Sequence, residues 1–265
     1  QQLMKLPAPE RPFLDEVSRA PGRLRVAFSF DAGLAKSLHP ENRAALEATT
    51  AQLAALGHEV VEVRLPLPPE SFIDAYASLV SADVAAVLRA SKQLVGREAT
   101  SDDVELATWM LAKMGEALSG ADVTEALWNM QVFSRHWLAW SSSFDVLLTP
   151  TVGVPPLPIG AYKLPALQRQ GLKLLAALPG GALLSQRPKI VEAFGQVFEA
   201  SPYTMVANVT GQPSMSLPLH WTTDGLPMGM LFTARTGDEA TLFRLAAQIE
   251  QAMPWKDRRP PHAAA

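Results

Sequence analysis

A strand–helix–strand pattern near the N-terminus limits what this chain can fold into. Residues 23–29 alternate as a strand does, a helix begins at Pro40, and Gly57 stands where a helix C-terminal cap belongs. Residues 59–65 form a second, Val-rich strand. Two parallel strands must be joined through a crossover, so the pattern predicts a βαβ unit with helices packed on a parallel sheet. Strands in such sheets are buried on both faces, and we expect this of both strands here.

The middle of the chain is predicted to be helical over residues 70–143. Its clearest helix starts at Asp122, with Glu125 three residues later as a capping-box partner. Apolar residues then advance by steps of three and four, which predicts one buried face made of Leu127, Met130, Phe133, Trp137 and Trp140.

A short strand over residues 145–149 follows and ends at Pro150, before a cluster of prolines. Residues 160–200 are predicted to form a long, partly helical excursion.

The last part of the chain predicts a hairpin and a helix. Residues 215–219 alternate, Asp224 and Gly225 signal a turn, and residues 228–234 form the returning strand. Thr236 followed by Glu239 is a capping-box pattern for an amphipathic helix that Pro254 closes.

Together these elements predict an α/β fold with a mixed, partly parallel β-sheet flanked by helices. We assign residues 1–22 to a proline-punctuated linker, residues 23–255 to a single α/β domain, and residues 256–265 to a disordered tail.

Composition excludes several classes of function. A net charge of -3 over 265 residues argues against nucleic acid as a partner, because phosphate binding needs a concentrated basic surface. The absence of cysteine excludes disulfides and thiol chemistry, and is compatible with a cytoplasmic location. We find no apolar run near the 18 or so residues of a membrane span, and therefore predict no membrane partner.

Motifs for catalysis are missing from the sequence. There is no Gly-x-Ser-x-Gly, and no lysine has a serine three residues before it. The five histidines are scattered without metal-ligand spacing, so we predict neither a metal site nor a cofactor. The chain does not begin with Met, and we expect it to be a fragment of a longer reading frame.

Four strings in the second half resemble the amidase-signature family in the right order and at plausible spacing. They are DVLLTPT over 145–151, NVTGQPSMSLP over 208–218, GLPMGM over 225–230 and GDEATL over 237–242. Residues 12–17 and 21–27 also resemble the passage where such enzymes leave their catalytic half. The chain therefore resembles the C-terminal portion of an amidase.

The resemblance implies hydrolysis of carboxamides by a serine nucleophile, a second serine in a cis peptide and a lysine base. These residues lie upstream of the matched region, so no catalytic residue is assigned in this chain. By position, the resemblance makes substrate-binding candidates of Thr149, Pro150, Thr151, Val152 and Asn208. A purely structural role is the alternative, in which Pro150 ends a strand and Asn208 caps a turn.

The implied partners are a small-molecule amide and a missing N-terminal half of the same enzyme, with a homodimer as one assembly to consider. Two alternatives stay open. The chain could be a catalytically inactive binding module of amidase-like fold, or part of the transamidating component of a tRNA-dependent amidotransferase. The second ranks lower because no basic surface is visible for tRNA.

Overall fold

The computed structural model describes residues 6, 8–66, 71–161, 170–171, 174 and 199–258. Most of the excursion predicted over residues 160–200 lies outside the described residues, as does most of the predicted tail.

The chain divides into two compact units. The first comprises residues 1–67, 136–157 and 198–265, and the second comprises residues 68–135 and 158–197. The predicted linker, single domain and tail stay predictions, because compactness does not decide which part folds alone.

The first unit contains a five-stranded sheet in the order β2-β1-β3-β5-β4. β1 is parallel to both β2 and β3, whereas β5 is antiparallel to β3 and β4. The predicted mixed, partly parallel sheet is therefore confirmed. The strands are β1 (Arg25–Phe28), β2 (Glu59–Glu62), β3 (Val146–Pro150), β4 (Ser214–Trp221) and β5 (Pro227–Ala234).

Seven helices are defined within the described residues. They are α1 (Phe13–Glu16), α2 (Pro40–Ala55), α3 (Ser71–Val95), α4 (Leu106–Ala117), α5 (Gly120–Ser141), α6 (Thr204–Thr210) and α7 (Glu239–Ala252).

Helices α2 and α7 supply the core on one face of the sheet. Leu46 and Leu53 of α2 and Leu245 and Ile249 of α7 are fully buried, together with strand residues such as Phe232. Burial of such a side chain contributes about 1.5–3 kcal/mol, so these two amphipathic faces anchor the sheet.

Of the two strands predicted to be buried on both faces, β1 is buried and β2 is not. Val26 and Ala27 point to opposite faces and are 0% and 1% exposed. The prediction was wrong for β2, where Glu59 and Glu62 are exposed and the two valines between them are half-buried. β2 has β1 as its sole partner among the described strands, so it lies at the edge of the sheet.

The predicted helix starts were displaced at two places. In α5 the cap is Ser119, whose Oγ accepts from the N–H of Asp122, and the Asp122 carboxylate accepts the N–H of Ser119 in return. This is a capping box three residues earlier than predicted. In α7 the cap is Asp238, which accepts the N–H of Thr241, and not Thr236.

The buried face of α5 is offset by one residue at its start. Met130, Phe133 and Trp137 are buried as predicted, but Leu127 is 46% exposed. Ala126 is buried instead, because it lies one helical turn before Met130.

Helix α3 corrects the expectation that no apolar run approaches the length of a membrane span. Among the described residues, this helix alone is long and apolar enough to cross a membrane, with a mean hydropathy of 1.4 over 18 residues. It carries Asp74 and Asp83, and Phe72 and Ser81 are buried, as in a helix packed against protein. A core helix of a soluble protein passes the same test, so the finding is weak evidence for a membrane span.

A cluster of charged side chains attaches α1 to α7. The carboxylate of Glu16 is 4% exposed and contacts Nε of Arg244 at 2.6 Å, Arg11 at 3.3 Å and Arg19 at 3.8 Å. The hydrogen bond from Arg244, with the charges of the other two arginines, lowers the pKa of Glu16 below its ordinary value of 4.5. Residues near the N-terminus are therefore attached to the last helix.

We expect Glu16→Gln to destabilise the protein most near neutral pH. Because the folded-state pKa is lowered, ionised Glu16 stabilises the fold above its unfolded pKa, and this contribution is lost as pH falls through the folded pKa. The Tm difference between wild type and variant should therefore shrink below pH 4.5.

The control is Glu10→Gln, because the Glu10 side chain is 85% exposed and pairs with Arg11 at the surface. A Tm difference for Glu16→Gln that stays constant from neutral to acid pH would contradict the assignment.

Candidate functional site

The candidate site lies at the carboxyl end of β3. β1, β2 and β3 run in parallel, so their carboxyl ends meet at one edge of the sheet, where ligands collect in α/β proteins. Thr149 and Pro150 are the last residues of β3, and both are buried. Pro150 pairs with Met230 of the antiparallel neighbour. These two predicted site residues are therefore part of the sheet, which agrees with the structural alternative for Pro150.

Thr151 leaves the sheet beside a glycine of the neighbouring strand. Its N–H donates to the carbonyl of Gly229 at 2.9 Å, and its Oγ1 lies 2.6 Å from Oγ of Ser216, two strands away. A Cβ at Gly229 would overlap the Ser216 hydroxyl and lie 2.7 Å from the Thr151 hydroxyl. Glycine at this position is what allows the two hydroxyls to meet.

Val152 and Gly153 are held by groups from two other segments. The side-chain Nδ2 of Asn42, in the first turn of α2, donates to the carbonyls of both residues at 2.9 Å. The N–H of Gly153 donates to the carbonyl of Ala200 at 2.8 Å. A Cβ on Gly153 would overlap the carbonyl oxygen of Glu199, so the two backbones approach closely. Val152 is half-buried.

Asn208 is placed differently from the other four candidates. It lies in α6 and is exposed, three residues before Gly211, which ends the helix with φ 72°. Among the described residues, no hydrogen bond joins Asn208 to the segment 149–152. The other four candidates are consecutive in the chain, so Asn208 is the candidate whose position depends on the tertiary structure.

The loop after β1 adds polar groups that no sequence pattern indicated. The Asp31 carboxylate accepts the N–H of Leu65 at 2.7 Å, and the Tyr203 hydroxyl donates to the Asp31 carbonyl at 2.9 Å. Burial and the charge of Asp31 raise the pKa of Tyr203 well above its ordinary value of 10.0. The neutral Tyr203 hydroxyl is the donor to the Asp31 carbonyl.

A histidine–carboxylate hydrogen bond and an ion pair flank this edge of the sheet. Nε2 of His220 in β4 lies 2.8 Å from the carboxylate of Glu41, and Lys36 lies 2.9 Å from Glu199. Glu41 and Asn42 are neighbours on α2, so the helix supplies a charge to β4 and an amide to the loop after β3. No sequence spacing signals either contact, because the partners are more than 100 residues apart.

The arrangement lacks a nucleophile with its base. Within the described residues, no serine or threonine hydroxyl is hydrogen-bonded to a histidine ring. Instead, His58 contacts Gln248 and the N–H of Leu24, and His39 caps α2. Nor do His, Asp and Glu side chains of the described segments form a group of three that could hold a metal ion. Within the described residues, the site consists of hydrogen-bonded backbone and small side chains.

Comparison with known proteins now identifies the class. The Amidase family profile matches residues 1–243, which is most of the chain. The chain belongs to the amidase family.

The curated relatives include a cyclic-dimer hydrolase and a putative amidase. 6-Aminohexanoate-cyclic-dimer hydrolase of Paenarthrobacter ureafaciens is 30% identical over 259 residues, which cover 96% of this chain and 49% of the relative. Putative amidase AmiB2 of Mycobacterium tuberculosis is 33% identical over 257 residues, again 96% of this chain and 49% of the relative. The chain spans about half the length of the curated relatives it matches.

Solved structures of amidase-signature enzymes share the fold of this chain. The structure of 6-aminohexanoate cyclic dimer hydrolase complexed with substrate has a TM-score of 0.78 and 29% identity, over 98% of this chain and 51% of that one. Peptide amidase PAM in complex with chymostatin has a TM-score of 0.62 at 21% identity, over 96% of this chain and 49% of that one, and shows the fold alone.

Proposed function

We propose that this chain is the C-terminal part of an amidase that hydrolyses the C–N bond of non-peptide carboxamides. In this proposal a serine nucleophile, a second serine in a cis peptide and a lysine base lie in an N-terminal half of the same protein. The present residues complete the sheet and shape the acyl side of the substrate pocket. Family membership supports the reaction class, and the curated relatives are about twice as long as the matched region.

The observation that supports the pocket role is the set of hydrogen bonds that hold the loop after β3. Its backbone is hydrogen-bonded to Gly229, Asn42 and Ala200 at the carboxyl edge of the sheet. Proline at 150, 155 and 156 fixes φ, which restricts the backbone further. Thr151 and Val152 are half-buried, as side chains of a pocket wall would be. Asn208 stays a candidate for the same pocket.

The first substrate to assay is a cyclic amide, because two of the curated relatives are named for 6-aminohexanoate cyclic dimer. A soluble, cytoplasmic enzyme that acts on a small-molecule amide, as a monomer or a homodimer, is part of the proposal.

We expect Val152→Phe in the complete gene product to change the preference for acyl groups. A larger side chain at the wall should disfavour bulky acyl groups relative to short ones while the fold is kept. One methylene in a pocket changes discrimination by about 1–3 kcal/mol, so the ratio of kcat/KM for the two amides should shift about tenfold or more. The measurement is kcat/KM for a short-chain and a bulky-acyl amide.

The matched control is Leu157→Phe, which adds a ring in the same loop at a position that is already 48% exposed. It should leave the ratio unchanged. If Val152→Phe alters both substrates by the same factor, the loop does not touch the acyl group, and the residues serve the fold alone.

A further inference from the structure

Asn42 is a fully buried polar residue that contacts a loop distant from it in the sequence. It is 0% exposed, and its Nδ2 donates to the carbonyls of Val152 and Gly153, which lie more than 100 positions away in the sequence. We propose that Asn42 is a positioning residue that holds this pair of peptide groups in the geometry of an acyl-pocket wall. The proposal rests on the proposed function, because it assigns the wall to the substrate's acyl side.

A primary amide suits this position for a chemical reason. Two successive backbone carbonyls need two donors, and the –NH₂ group of asparagine carries two N–H bonds on one atom. The orientation of the amide is also settled, since its oxygen would be repelled by both carbonyls. Among the described residues no donor reaches Oδ1, so the donor side of Asn42 makes the contacts.

The helix that carries Asn42 is a rigid support. Ala45, Leu46 and Leu53 of α2 are all 0% exposed in the core against the sheet. A side chain on such a helix positions its contacts more precisely than one on a loop. The location of the segment 152–153 is thereby tied to the core of the first unit.

The other hydrogen bonds of the loop use its backbone N–H groups. The N–H groups of Thr151 and Gly153 donate to Gly229 and Ala200, whereas Asn42 binds carbonyls. Without Asn42 the carbonyls of Val152 and Gly153 lose their side-chain donor. The peptide after Val152 is then held only through the Gly153 N–H, and the peptide after Gly153 loses the hydrogen bond to Asn42. We expect the backbone at 152–153 to become more mobile and the shape of the wall to change with it.

The test uses the complete gene product with Asn42→Leu and Asn42→Ser. Leucine has a similar size and no donor, and serine is smaller and keeps one O–H donor. Leu53→Ala is the control, because it removes core contacts from the same helix without touching the loop. Two quantities are measured: hydrogen–deuterium exchange of peptides covering residues 150–156, and the ratio of kcat/KM for a bulky-acyl and a short-chain amide.

We expect Asn42→Leu to raise exchange in residues 150–156 and to shift the kcat/KM ratio by about tenfold, the size of a change in pocket shape. Asn42→Ser should fall between Asn42→Leu and wild type. Leu53→Ala should lower Tm yet leave both the local exchange and the ratio at their wild-type values.

Two results overturn the inference separately from the function. An active enzyme whose Asn42 variants keep wild-type selectivity refutes the positioning role and leaves the proposed function standing. If Leu53→Ala raises exchange in residues 150–156 as much as the Asn42 variants do, Asn42 acts through general stability, and the positioning role is again refuted. A gene product that hydrolyses no amide refutes the proposed function and, with it, the acyl wall.

Discussion

The purified 265-residue chain is expected to hydrolyse amides no faster than the uncatalysed background. Acyl transfer to an enzyme needs a nucleophile next to a base, with donors for the developing oxyanion. Within the described residues the hydroxyls at the site contact one another, as Thr151 and Ser216 do, and not a base. Loss of a nucleophile typically lowers kcat about a million-fold, which makes this the largest effect we expect.

The measurement is the release of amine from 6-aminohexanoate cyclic dimer and from a simple aryl amide, followed over hours. The complete gene product, assayed in parallel, is the positive control. Ser216→Ala and Ser214→Ala are the matched variants, because the exposed Ser216 contacts Thr151 at the site and Ser214 is the other exposed serine of β4. If the purified chain turns over either amide and one of these substitutions abolishes the activity, the nucleophile lies in this chain and the assignment is wrong.

The second large effect is expected at Gly115 in α4. Helices α3 and α4 pack closely, and a Cβ at Gly115 would overlap the backbone carbonyl of Ser81 and lie 2.8 Å from the N–H of Ala82. Ser81 is itself fully buried, and its neighbours on the packed face are small, as at Ala85 and Ala112. Backbone cannot rotate away as a flexible side chain can, so the helices must separate.

Gly115→Ala should therefore lower the free energy of unfolding by about 3 kcal/mol, at the upper end for overpacking in a core. For a chain of this size each kcal/mol shifts Tm by roughly 2–4 °C, so Tm should fall by roughly 6–12 °C. Differential scanning calorimetry of the 265-residue chain measures this change.

The control is Gly120→Ala at the start of α5. A Cβ there meets no atom within 4 Å, and alanine favours helix by about 1 kcal/mol over glycine. Gly120→Ala should leave Tm unchanged or raise it. If Gly115→Ala is equally harmless, α3 and α4 do not cross at the distance that the structure gives.

The sequence was sufficient for the strands, the crossover helix and the sheet's mixed character. Pro40 and Gly57 delimit α2, and Asp224 and Gly225 form the turn between β4 and β5, because these residues restrict backbone angles locally. Helix caps were less predictable. Ser119 and Asp238 are themselves good cap residues, but so are their neighbours, and the choice depends on where the preceding loop directs the chain.

The sequence indicated where in the chain the candidate site lies. It did not indicate which distant residues hold that segment in place. Residues 149–152 span the end of a strand that closes at Pro150 and the two residues after it, which the amino-acid pattern alone indicates. Asn208 belongs to the same matched string as β4, but its exposed position in α6 depends on how that helix packs.

By itself, then, the sequence determined the local elements and the family, since both depend on neighbouring residues and on their order. Only the tertiary structure decided that β2 is an edge strand, that Gly229 lets Thr151 meet Ser216, and that Asn42 binds the loop after β3. These features join residues that are tens to more than 100 positions apart. No periodicity or short motif encodes such a contact, because it exists only once the sheet has brought the segments together.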